Sequence, residues 1–435
     1  MFAREKLEEL IPESGGEFDV IVCGGGPAGI GAALAAADQG AKTLLLESQS
    51  YFGGVAAVTF WMPINRLLLN GDNRGGVIDS FVAAVKKFGP DASIPGKEDF
   101  ICGDGLDVHP DYMKLAILEV LEEAGVHYRL YSPVTDAILH GDILAGVVTS
   151  CRFEKQSFFA DVIVDATGDG DVAYKAGAEM VIGREEDGLH MPVSLVFALT
   201  NLDDEAFLNY FEDSQEQFEE QIREAGQEGY CVAEWYDFDR ATIPNTLSVN
   251  NGAAVNIGNI NAIKARDLTI AERMGLRVAV DFVKIAREKR FPGLENCCLM
   301  STGPQVGVRD TRRLVGEYVL TVEDARTGPE FPDAIARRYG NIDACQIFIG
   351  EMKSGYGYPY RCMLPKKVEN LLVAGRCGSA TFMGHAAGKS MGNIMEIGQA
   401  AGVAAAMSSA KNIAPRNLDV EDIQQILISM GVALD

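Results

Sequence analysis

The sequence predicts an α/β fold: a parallel sheet carrying an antiparallel meander, with a second, α+β domain interleaved in the chain. Three observations carry that prediction. Phe18 to Glu47, FDVIVCGGGPAGIGAALAAADQGAKTLLLE, reads as strand, glycine turn, helix and strand. Short alternating runs separated by turn residues follow: HYRLYS, VTDAIL, ILAGVVTS and RFEKQSFF. Two apolar runs far apart, DVIVD before Ala166 and NLLVA before Gly375, then return the chain to the core.

Each residue type in the first stretch has a physical task. Gly24, Gly26 and Gly29 form G-x-G-x-x-G. Gly24 permits the tight turn, Gly26 lets backbone approach a pyrophosphate, and Gly29 lets the helix lie close on the strand. The helix opening at Pro27 and Ala28 offers unpaired N–H groups and the positive end of its dipole to an anion. Its small face, Ala32, Ala33, Ala35, Ala36 and Ala37, permits close packing on a sheet. Glu47 ends the second strand 23 residues after Gly24, where a carboxylate accepts hydrogen bonds from ribose hydroxyls. Ser48 follows it, and the glycine pair Gly53 and Gly54 offers another close approach of backbone to ligand. Together these features predict a Rossmann-type dinucleotide site.

Composition narrows the function. The 435 residues contain 38 Lys and Arg against 62 Asp and Glu, a net charge of −24. That balance opposes nucleic acid and anionic membranes as partners. No uncharged apolar run reaches transmembrane length, and the charged opening MFAREKLEELIPESGGE does not read as a signal peptide, so a soluble cytoplasmic protein is expected. The nine cysteines include the adjacent pair Cys297 and Cys298 but no C-x-x-C, so no metal or cluster is expected and most should be buried thiols.

Taken in order, the helix YMKLAILEVLEEAG has Asp111 as its expected N-cap and Gly125 as its stop. The strand runs that follow should form a small antiparallel meander inserted in the parallel sheet. Composition changes near Gly183 and again near Pro365, which divides the chain into 1–182, 183–365 and 366–435, the middle segment being a substrate or cap domain. It holds the acidic piece DDEAFLNYFEDSQEQFEEQIREAG, read as solvated helix, and the long helix RDLTIAERMGLRVAVDFVKIAREKR. A second G-x-G-x-x-G is absent from it, so a second redox partner must come from outside.

DVIVCGGGPAG, the acid-ended LLLE, the glycine pair, VDATGDGDVAYKAGAE and VENLLVAGRCGSA together resemble the FAD-dependent oxidoreductases of the glutathione-reductase-type flavoprotein superfamily, also called two-dinucleotide-binding-domain-like. Within it the chain is similar to the broad FAD dependent oxidoreductase family, whose pattern also covers GVRDTRRLVGEYVLT, YPYRCMLP and IGQAAGVAAA. The resemblance implies a Rossmann-type FAD-binding domain with an interleaved cap. By that resemblance Ala166, Thr167 and Gly168 lie beside the adenosine and pyrophosphate, and Gly375 passes the ribityl chain. Many relatives have an acid after that glycine; here it is Arg376, which has the pyrophosphate, Glu47 and Asp169 as available anions. A helix beginning near Gly392 is then expected to point the N–H groups of Asn393 and Ile394 at flavin N1 and O2, stabilising the reduced ring by roughly 0.3–2 kcal/mol.

The substrate side rests on fewer residues. Arg309, Arg312 and Arg313 form a basic cluster that suits either a carboxylate clamp or structural pairing with Asp310, Glu317 or the FAD phosphates. His190 and His385 are candidate proton-transfer groups, His385 the better placed because its loop leads to the flavin-facing helix. Tyr356, Tyr358 and Tyr360 form a pocket wall or supply a phenolic proton, and Arg361 is a further anion ligand. These features imply a dehydrogenase or reductase moving a hydride between flavin N5 and a C–H bond of a small-molecule substrate. Non-covalent FAD, an external electron donor or acceptor, and a homodimer are expected. The alternatives are a flavin monooxygenase, disfavoured because the Asp-Gly of DATGDGD lacks the Ser and Arg that usually follow, and a non-catalytic electron-transfer or assembly flavoprotein.

Overall fold

The computed structural model describes residues 4–434 apart from 14, 62, 66–67, 70–71, 97–104, 345–348 and 351–354. Its centre is a seven-stranded sheet. The strands are β1 (Glu17–Cys23), β2 (Thr43–Leu46), β3 (His127–Arg129), β4 (Val134–His140), β5 (Ile143–Cys151), β6 (Glu154–Asp165) and β7 (Leu371–Val373). The order β3-β2-β1-β6-β7 is parallel throughout, with Val20 opposite Thr43 on one side and Val162 on the other. Val20, Ile21, Val22 and Cys23 are fully buried, which is why β1 reads as an unbroken apolar run rather than an alternating one.

Two strands differ from the sequence expectation. HYR is not part of the meander but the outermost parallel strand, pairing Leu44 with His127. RFEKQSFF and DVIVD are not separate either: they form the single strand β6. Its first half pairs antiparallel with β5, and its last residues pair in parallel with β7. Polar residues at the start of β6 face solvent and apolar ones at its end are buried, so one continuous strand carries two patterns. The expected N-cap also shifts. The helix Pro110–Glu123 is capped by His109, whose Nδ1 accepts the N–H of Asp111.

Over the sheet lie α1 (Pro27–Asp38) and α2 (Met391–Lys411), which cross almost backbone to backbone. A Cβ at Gly398 would stand 2.0 Å from the Ala28 carbonyl oxygen, and one at Gly402 would stand 2.2 Å from that of Ala32. The small residues of both helices therefore set the depth at which α2 meets the glycine turn.

The cap has its own core. Its sheet runs Tyr236–Arg240, Thr246–Asn251, Phe197–Thr200, Cys298–Thr302, all antiparallel, with the helix Ala265–Glu288 packed against it. Phe197, Phe207, Phe218, Phe238, Phe282 and Phe291 fill the interior, Phe207 and Phe238 with ring centroids 4.6 Å apart. The acidic stretch forms two helices, Asp204–Asp213 and Gln215–Gln227, that turn Phe207, Phe218 and Ile222 inward and their acids outward. Leu320, Ala325, Ile335, Ala336, Tyr356, Tyr358, Tyr360 and Leu364, within the segment expected to be the cap, instead contribute to the large core with α1 and α2. No helix among the described residues is long and apolar enough to cross a membrane.

Candidate functional site

The glycine turn is built as its residue types demand. Gly24 has φ +97°, and a Cβ there would lie 2.4 Å from the Ala166 carbonyl oxygen. A Cβ at Gly29 would lie 1.7 Å from the Gly24 oxygen, so helix and strand are in closest contact at that point. A Cβ at Gly26, by contrast, would have open space on every side within 4 Å. Gly26 caps α1, Pro27 takes the first helical position, and the first intrahelical bond is donated by Ile30 to the Gly26 carbonyl. The N–H groups of Ala28 and Gly29 precede that bond, as an anion site at a helix start requires.

The other expected segments converge on this turn. Gly53 (φ +107°) donates to the Gly25 carbonyl, and a Cβ on Gly54 would stand 3.2 Å from Gly26 Cα. Gly375 (φ +102°) sits where a Cβ would meet Ala28 Cβ at 3.2 Å and Ile394 Cγ2 at 4.0 Å. Thus residues from β1, the loop after β2, the end of β7 and the start of α2 share one crevice at the carboxyl ends of the parallel strands.

Glu47 is buried beside the turn: Gly25 N–H donates to one carboxylate oxygen at 2.7 Å, while the Ser48 hydroxyl and Gln49 N–H donate to the other at 2.8 and 2.7 Å. A carboxylate has about four acceptor sites, so Glu47 is fixed in place with capacity left for ribose hydroxyls. Thr167 is held by Asp165, which accepts the Thr167 N–H and hydroxyl on one oxygen and the Ala173 N–H on the other. Burial pushes the Asp165 carboxyl up to about 6. Arg376 chooses Asp169 among its three expected anions, at 2.5 Å, and donates to the carbonyls of Gly168 and Val308.

The start of α2 only partly matches expectation. Ile394 N–H is spent on the Ser390 carbonyl and Gly392 N–H on that of Asn65, so of the expected pair only Asn393 N–H has no acceptor among the described residues. The Asn393 side chain locks the turn: its amide donates to the carbonyls of Tyr339 and Gly388, and its oxygen accepts from Arg74.

The arginines of the basic cluster lie against acids of this chain. Arg312 pairs with Asp171 at 2.8 Å and Arg313, fully buried, with Glu185 at 3.2 Å, while Arg309 lies 3.8 Å from Asp343. Arg361 is taken by Asp333 at 2.8 Å. His190 is buried against Asp310, Nδ1 to carboxylate 3.3 Å. His385 donates from Nε2 to the Arg309 carbonyl at 2.9 Å; burial, with only partial relief from that bond, drives its pKa down to about 3. It therefore stays a neutral imidazole, and the expected titration near neutral pH does not hold. Tyr356 and Tyr360 bond to the carbonyls of Ala387 and Pro415 and serve packing. Tyr358 lines a small cavity with Arg338, Gly375, Ser379, His385 and Ile394, and burial holds its phenol protonated.

Three residues here escaped the sequence reading. Arg74 and Glu396 form a buried ion pair at 2.5 Å, and Arg338 walls the cavity. No sequence signal pointed to Arg338: its strand, Ala334–Arg338, is buried at Ala334, Ile335, Ala336 and Arg338 without alternation. No group of three or more metal-ligating side chains occurs among the described residues.

The crevice fits a dinucleotide: open space before Gly26, helix N–H groups behind it, and an immobilised acid at the sugar end. A stretch of 76 residues is 38% identical to 4-oxocyclohex-2-ene-1-carboxylate 5-dehydrogenase of Sinomonas cyclohexanicum, covering 17% of this chain and 12% of that protein. Another of 70 residues is 41% identical to a 3-oxosteroid 1-dehydrogenase of Mycolicibacterium smegmatis, covering 15% and 12%. The chain thus matches only about an eighth of the length of these curated relatives. The fold is that of the geranylgeranyl bacteriochlorophyll reductase-like protein of Thermoplasma acidophilum, with TM-score 0.51 and 15% identity over 95% of this chain and 83% of that one. Over residues 19–427 the sequence matches the family described as FAD dependent oxidoreductase, and the chain belongs to that family.

Proposed function

We propose that the protein is a dehydrogenase or reductase that moves a hydride between non-covalently held FAD and a C–H bond of a small organic molecule. The observation that carries this reading is the meeting of Gly26, Gly54, Ala28, Gly375 and Ile394 in one crevice, with a polar-lined cavity beside it. FAD, once bound, supplies the two-electron chemistry. The chain supplies the rest. Ala28 and Gly29 N–H groups hold the diphosphate, Glu47 holds the ribose, and Asn393 N–H with the α2 dipole stabilises negative charge at the ring. Arg376, committed to Asp169, fixes the Gly168 turn rather than the diphosphate. His385 and Tyr358 orient the substrate as a neutral ring and a proton-bearing phenol. The single fingerprint supports an external electron donor or acceptor, and the motif set supports placement in the glutathione-reductase-type superfamily.

The test is anaerobic mixing of yellow holoprotein with hydroxy acids, enoates, polyols, steroids and amines while following visible flavin absorption. Loss of absorption with one class, without oxygen, is expected. Oxygen-dependent consumption of NADPH yielding a hydroxylated product would replace this reading with a monooxygenase. Bleaching by reductants of every kind without organic turnover would replace it with an electron carrier.

A further inference from the structure

Arg338 differs from the other buried arginines. Arg74 has Glu396 at 2.5 Å, Arg313 has Glu185 at 3.2 Å and Asp310 at 3.9 Å, and Arg376 has Asp169 at 2.5 Å. Arg338 is 3% exposed, yet no carboxylate pairs with it among the described residues. Its Nε donates to the Gly388 carbonyl at 3.0 Å and Nη2 to that of His385 at 3.4 Å, and its guanidinium lies 5.8 Å from the Tyr358 ring centroid. Carbonyl dipoles satisfy some of its five N–H donors but supply no counter-charge. A buried cation left in that state is destabilised, so an anion arriving from solvent is favoured there.

Arg338 lines a cavity together with Tyr358, Ser379, His385, Gly375 and Ile394. Gly375 and Ile394 belong to the FAD crevice, so the cavity adjoins the reacting end of the site. The remaining wall is hydrogen-bonding but uncharged: a phenol that keeps its proton and an imidazole held neutral by burial. One cation, the phenol of Tyr358 as a neutral donor and no carboxylate among the described lining residues make a carboxylate receptor, with the planar fork matched to two oxygens.

We infer that Arg338, with Tyr358 as second donor, binds the carboxylate of the substrate, so that the substrate is an organic acid. This rests on the FAD reading only for the word substrate; the anion pocket stands on the Arg338 geometry alone. The same guanidinium chemistry would suit the FAD diphosphate, and the two sources are separable.

The experiment titrates holoprotein with succinate, crotonate and benzoate and with their amides, reading the flavin spectrum and the melting temperature; FAD dissociation is measured alongside. Carboxylates should perturb the spectrum and raise melting temperature while amides do neither. Arg338→Met should weaken carboxylate binding about tenfold to a hundredfold, the worth of a charge-assisted hydrogen-bond pair. Arg338→Lys should restore part of it, and Tyr358→Phe, which keeps the ring packing, should weaken it severalfold. FAD affinity should stay within about twofold in all three. Equal effects of acids and amides, or unchanged carboxylate affinity in Arg338→Met, would overturn the pocket. Loss of FAD in place of carboxylate would assign Arg338 to the cofactor and overturn it equally. If the protein took up no FAD, yet carboxylates still raised its melting temperature through Arg338, the flavin reading would fail and the anion pocket would survive.

Discussion

Gly26 and Gly29, three residues apart, have opposite surroundings, and their alanine variants should fail in different ways. A Cβ at Gly29 runs into backbone 1.7 Å away, whereas one at Gly26 projects into open space. Gly29→Ala should therefore lose about 1–3 kcal/mol of stability through overpacking, seen as a lower urea midpoint with or without FAD. Gly26→Ala should leave the FAD-free midpoint unchanged and weaken FAD at least tenfold, because the methyl occupies the diphosphate's approach; fluorescence titration with FAD separates the two. Two buried titrating groups give a second residue-scale test. Asp165 is raised to about 6 from an ordinary 3.8, so the folded chain keeps a proton the unfolded chain has released. Its contribution to stability is full below about 3.8 and disappears as pH rises towards 6. His385 is lowered to about 3 from 6.5, so its contribution is full above 6.5 and is lost as pH falls. The two slopes oppose each other between pH 4 and 6. Urea midpoints across that range should therefore rise more steeply with pH in Asp165→Asn than in the parent, and less steeply in His385→Gln. The glycines of the first turn and Glu47 were legible in the sequence because their spacing within Phe18–Glu47 is itself the motif. Arg338 and the neutral state of His385 were not, because both follow from burial by segments far away in the chain.

Among the elements, the position of α2 decides whether the crevice exists. Its first turns are tied down by Glu396, which takes Arg74 at 2.5 Å and the Arg337 N–H at 2.7 Å, both carboxylate oxygens being used. Side chains of Arg74 and Glu396 are 0% and 3% exposed, a case in which removing one partner leaves a buried charge uncompensated. Glu396→Leu and Arg74→Met should each cost about 3–5 kcal/mol, whereas the two together should recover most of that loss. The measurement is a double-mutant cycle in urea, and full additivity of the two single losses would refute the coupling. Element existence was readable from periodicity and glycine placement: strand, turn, helix and strand over Phe18–Glu47 all appear. Strand direction was less readable. The short HYR segment carries no pattern to distinguish an outer parallel strand from one of a meander, and β6 changes its partner midway. The pairing of Arg74 with Glu396, 322 positions apart, leaves no local trace at all.

In the whole molecule, the two largest hydrophobic clusters among the described residues are separate. The large core takes in α1, α2 and every segment that meets at Gly26, while the cap core draws only on residues from Phe197 to Cys297. The cap is tied to the loop following Gly54, where Ser248 donates to the Phe60 carbonyl and Trp61 donates to Thr242 at 3.0 Å. Disturbing the cap interior should therefore disable turnover without releasing the cofactor. Phe218, 1% exposed and packed on Phe291, Phe211 and Phe238, is the place to test this. Phe218→Ala should cost about 3–5 kcal/mol, the usual price of a truncated core aromatic. The chain has two tryptophans, Trp61 in the loop after Gly54 and Trp235 in the cap, so in a Trp61→Phe background tryptophan fluorescence follows the cap while flavin release follows the large core. The variant should shift the tryptophan transition to lower urea, leave the flavin-release midpoint and FAD stoichiometry unchanged, and lose turnover in proportion to the fraction of cap unfolded. A common shift of both signals would mean that the two cores unfold as one, and that closure over the flavin is a property of the entire chain rather than of its cap.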